Sequence, residues 1–86
     1  MNYYSAQQKM TAIGVYAGYH DGNYTFVLEN NEVIDFDQIN TMILEHFDLK
    51  STQLKGTRFE INYIELIDDV DDEDYISLKL NQLTLV

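Results

Sequence analysis

Cysteine and proline are absent from the 86-residue chain, and five basic residues stand against 15 acidic ones. Without cysteine there is no disulfide framework, no thiol nucleophile and no cysteine-ligated zinc, which suits a reducing compartment. Without proline there is no stiff linker and no polyproline ligand. With so few cations and a formal charge of −10, the chain is repelled by phosphate backbones, because general nucleic-acid binding draws on clustered Lys and Arg. Long apolar runs are lacking as well. MNYYSAQQKM has no apolar core of signal-peptide length, and no run approaches the roughly 18 apolar residues of a membrane span. The expectation is a cytoplasmic protein.

What is present is enough for one domain with one modest core. Seven Tyr and four Phe supply it, since large rings bury much area per residue. Residues 1–9 show no clear period and read as a flexible arm, with Tyr3 and Tyr4 available to dock; residues 10–86 form the domain. From Thr11 the pattern is that of a strand. Ile13, Val15, Ala17 and Tyr19 alternate with Gly14, Tyr16, Gly18 and His20, ending at Asp21-Gly22. Asp-Gly is a strong hairpin signal, because a type I′ turn needs positive φ at both central residues. That turn pairs Tyr19 with Tyr24, Ala17 with Phe26 and Val15 with Leu28.

The second turn falls in Glu29-Asn30-Asn31-Glu32. A two-residue Asn-Asn loop sets Phe26 opposite Asp35. A three-residue loop, Asn30 to Glu32, sets Phe26 opposite Phe36 and is preferred, with an Asn or its neighbour in the left-handed region. A helix over about 37–48 follows, with Asp35 or Asp37 as cap and Ile39, Met42, Ile43 and Phe47 as its apolar stripe. Leu54 is expected to plug the bottom of the core. Phe59, Ile61 and Tyr63 alternate in the next strand, and Ile76, Leu78 and Leu80 in the last. There the phase shifts at Gln82, so that a bulge near Asn81-Gln82 is expected to re-aim Leu83 and Leu85 inward.

The fold class is mainly β, a β-barrel with one helix, in the order three strands, helix, two strands. This order resembles the OB fold, a five-stranded, partly open Greek-key barrel with a helix between its third and fourth strands. Gly14 and Gly18, which let the first strand bend, and the late phase shift suit a barrel. The resemblance is one of topology and pattern, closest to small OB-like domains of bacterial proteins whose function is unassigned. An SH3-like barrel or an α+β sheet with the helix across one face competes with it.

Six acids crowd the seven positions from Asp68 to Asp74. A calcium loop of EF-hand type needs a Gly and a bidentate Glu where Asp74 and Leu80 stand, so that reading fails. A looser divalent site, a solvated connection between the last two strands, and a mimic of a nucleic-acid backbone remain. Without those six acids the formal charge falls from −10 to −4, which is little for a mimic. In an OB-like barrel the run joins the last two strands beside the ligand face, where nucleic-acid-binding members place basic and aromatic groups. Its acids argue against direct nucleic-acid binding and leave a basic protein or a cation as partner.

Tyr16, between two glycines, is either an exposed platform with Thr25, Val27 and Arg58 near it or a cover over the curved strand. Catalysis lacks parts. His20 and His46 are not brought together by spacing, and no Ser stands in a nucleophile context. Gly56-Thr57-Arg58 is a strand entry, not a phosphate loop. The sequence thus predicts a non-enzymatic protein-binding module without cofactor, metal or membrane, or alternatively an acidic inhibitor that blocks a basic DNA- or RNA-binding protein. Its predicted contact residues are Tyr16, Thr25, Val27, Arg58, Asp71, Asp72 and Asp74.

Overall fold

The computed structural model describes residues 3–70 and 73–86. The elements are β1 (Tyr3–His20), β2 (Asn23–Leu28), β3 (Val33–Phe36), β4 (Gln38–Ile39), α1 (Met42–His46), a 3₁₀ turn (Thr52–Leu54), β5 (Arg58–Val70) and β6 (Glu73–Leu85). The six strands make one curled mixed sheet, a half-barrel, in the order β3-β2-β1-β5-β6-β4. Only Asp37 separates β3, antiparallel to β2 at one end of the sheet, from β4, parallel to β6 at the other. The curl follows from that continuity.

The first hairpin forms as its sequence dictates. Asp21 and Gly22 take φ of 51° and 81°, the left-handed pair that Asp-Gly favours. Tyr19 faces Tyr24, but beyond it the register shifts between Tyr16 and Gly18. Tyr16 therefore faces Phe26, and Val15 faces Val27, rather than the expected Ala17–Phe26 and Val15–Leu28. The bulge buries the Tyr16 ring instead of the Ala17 methyl, the larger gain in buried area. Gly14 is needed on the inner side, since a Cβ there would lie 3.0 Å from the Val27 carbonyl oxygen and 3.1 Å from Ile61 Cδ1.

The second turn has three residues, but one position earlier than expected. Leu28 N–H donates to Glu32 O at 2.8 Å, Asn31 takes φ 68°, and Phe26 faces Ile34. The helix lies inside its expected span and is shorter, because Gln38 and Ile39 pair with Lys79 and Leu80 and are lost to the sheet. Asp35 accepts the Thr25 hydroxyl instead of capping, and Asn40 Oδ1 accepts Met42 N–H at 3.1 Å.

Residues 3–9 are not an arm. Tyr3 to Lys9 pair with Val70 to Ile64, so this segment forms the outer strand of a ribbon with β5 and β6. The acidic run is likewise not a loop in its described residues: Asp68 faces Tyr75, Asp69 faces Asp74 and Val70 faces Glu73. Bonding of β5 on both sides satisfies backbone groups that a loop would leave to water. Asp71 and Asp72 lie outside the described residues. The bulge expected near Asn81-Gln82 is there, with Asn62 opposite Gln82 and Tyr63 opposite Leu80. It turns Leu83 inward, whereas Leu85 stays 59% exposed at the open end.

The core is an aromatic cluster. Phe26 packs against Tyr16, Phe36 and Phe59 at centroid distances of 5.1, 5.9 and 6.3 Å, and Phe47 closes on Phe59 at 5.2 Å. Ile43, Leu49, Ile61, Leu80 and Leu83 fill the space between, with Leu54 packed against them from below. Tilted and edge-on rings suit the aromatic quadrupole.

Candidate binding surface

Two predicted contact residues lie in the interior. Tyr16 is fully buried, and its hydroxyl donates to the Leu49 carbonyl oxygen at 2.5 Å. Burial, then the neighbouring Tyr24 and Tyr19, push its pKa up to about 12. A ring so enclosed is no stacking platform. Thr25 is also buried, and its hydroxyl donates to Asp35 Oδ1 at 2.5 Å.

Val27 and Arg58 do meet. They flank a shallow open groove of about 520 Å³ on the outer side of β1 and β2, with Ile13, Val15 and Leu28 in its lining. Val15 is 39% exposed and Val27 half-buried. Arg58 Nη2 donates to the Glu29 carboxylate, with both side chains more than half exposed, a pair whose net worth in water is at most about 1 kcal/mol. A stronger anion or a stacking ring can therefore draw the guanidinium away at small cost. Apolar floor and reorientable cation are the ingredients of a protein contact surface.

A second cleft, of about 630 Å³, opens between α1 and β6 and went unrecognised in the sequence. Ile43, Phe47 and Leu83 form its apolar floor, and Met42, His46 and Gln82 its rim. Asn40 ties the two walls together: its N–H donates to Leu80 O at 2.8 Å and its side-chain amide to Asn81 O at 3.3 Å. The phase shift at Gln82 and the Asn ahead of the helical stripe were its only traces. Met42 was assigned to the buried stripe but is 59% exposed, because so short a helix leaves its first residue uncovered.

His20, at the β1–β2 turn, and His46, on α1, are both exposed. Among the described residues no group of three or more His, Asp or Glu is set to hold a metal ion, and no described helix is long and apolar enough to cross a membrane. The predicted acidic contacts are described only in part, since Asp74 stands in β6 while Asp71 and Asp72 lie outside the described residues. Compared with known proteins, the chain matches no protein-family model, no curated protein and no solved structure.

Proposed function

We propose that the chain is a non-enzymatic binding module of OB-like build that engages a protein partner. The strand plan supports the OB-like part. Three antiparallel strands, a helix and a hairpin follow in order, and the segment that continues β3 runs parallel to the last strand. The groove carries the binding part: exposed Val15, half-buried Val27 and the loosely paired Arg58 share one open depression. The run of six acids from Asp68 to Asp74 supplies long-range attraction for a basic partner.

The test is affinity capture from host lysate with three baits, namely the native chain, V27D with R58A, and the triple change of Asp71, Asp72 and Asp74 to Asn. A partner should be retained by the native chain, lost with the groove variant and slowed in association by the triple variant, with an on-rate that falls steeply in salt. Equal retention by all three baits excludes this surface.

One observation favours the inhibitor reading as a second. Asp69 stands directly opposite Asp74, with Asp68 and Glu73 beside them in the ladder. Acids gathered on two paired strands concentrate the negative charge that a basic groove attracts. On this reading V27D with R58A keeps the partner and only the triple variant loses it.

A further inference from the structure

The outward edge of β1 differs from every other edge of the sheet. The first acid in the chain is Asp21, so β1 has none, although 15 follow. Among the described residues, the strand from Tyr3 to Ala12 is bonded to β5 alone, because β2 joins its other side only from Gly14. The remaining free edges are shorter or charged. β6 is open over Glu73–Leu78, where it carries Glu73 and Asp74, and the outer side of β3 is four residues long and contains Asp35. Charges on an exposed edge deter pairing with another chain. The β1 edge carries only Lys9.

Which groups that edge presents follows from two bonds. Ile13 O accepts Glu29 N–H on the β2 side, and Tyr16 N–H donates to Thr57 O on the β5 side. Backbone groups alternate along a strand, and β1 keeps one register against β5 from Tyr3 to Val15. The N–H and C=O of Tyr3, Ser5, Gln7, Lys9 and Thr11 therefore point away from the molecule.

We propose that this edge is a self-association site, at which two copies pair β1 antiparallel across a two-fold axis. Such an axis requires a residue to face its own counterpart. The five outward-facing residues are centred on Gln7, so only the Gln7 register uses all of them. Tyr3 then faces Thr11, Ser5 faces Lys9, and the two lysines stay apart. Five hydrogen-bonded pairs at two bonds each give about ten new backbone bonds, and the two sheets become one. The occupant is a second copy because it brings an edge with the same freedom from acid, while the rest of a chain at −10 repels its like.

Sedimentation equilibrium of the full chain tests this. The mass should rise with concentration from 10.1 kDa to twice that value. The dimer should tighten as salt screens the repulsion between the bodies, opposite in sign to a complex with a basic partner. Gln7→Pro removes one outward N–H and no internal bond, and Lys9→Glu places an acid on the edge. Each should weaken the dimer about tenfold or more. Gln8→Pro, whose N–H faces β5, should instead lower the unfolding midpoint. A native chain that stays monomeric to its solubility limit, or that takes up an unrelated extended peptide on β1 as a monomer, overturns the proposal. So does a dimer unchanged by both edge variants. If circular dichroism shows Gln7→Pro unfolded, Lys9→Glu decides.

Discussion

Tyr16 joins packing to titration. Its phenol binds a proton more tightly in the folded chain, at about 12, than in the unfolded one, at about 10. Its contribution is complete below pH about 10 and fades as pH rises toward 12. Tyr63 is raised in the same direction by burial, then by Glu65 and Glu32, so it adds to the alkaline loss. Tyr16→Phe should reduce that loss without abolishing it. It should also cost about 1–3 kcal/mol at neutral pH, because the buried Leu49 carbonyl loses its donor. Urea titrations at neutral and alkaline pH measure both effects. Phe26→Ala, which empties the centre of the ring cluster, should cost about 3–5 kcal/mol and lower the thermal midpoint accordingly. Gly14→Ala should destabilise by about 1–3 kcal/mol, since the Val27 carbonyl cannot yield as a flexible side chain would.

Among the elements, those governed by local chemistry were readable. Asp21-Gly22 and the left-handed Asn31 follow from what their backbones tolerate, and the β6 bulge from a change of phase. Elements decided by distant partners were not. No local signal shows that Gln38 and Ile39 belong to β6, or that Tyr3 to Lys9 belong to β5, because the reward for each lies some 40 or 60 residues away. The surface divides along the same line. Val27 and Arg58 fall where alternation sends them, whereas Tyr16 and Thr25 moved inward with a bulge in β1 that no change of phase in the sequence marks. Changing Asp71, Asp72 and Asp74 to Asn should leave the thermal midpoint unchanged or slightly raised, since like charges are removed from a run of six acids. A marked drop would give those acids a structural role.

For the molecule as a whole, net charge and topology have separate effects. At −10 the folded chain repels itself, so added salt should raise the unfolding midpoint modestly, as calorimetry at low and high ionic strength will register. The continuity of β3 into β4 bears on the order in which the chain acquires its structure. Tyr3 must find Val70, and Ile39 must find Leu80, so the first half of β1 waits for β5 and β4 waits for β6. Contacts so distant in sequence slow the search, and refolding in the range of about a millisecond to a second is expected. A nascent chain that has not yet released β6 from the ribosome holds its β1–β2–β3 meander with the aromatic side uncovered. During that interval a chaperone, or a second nascent chain, has its widest opportunity to bind.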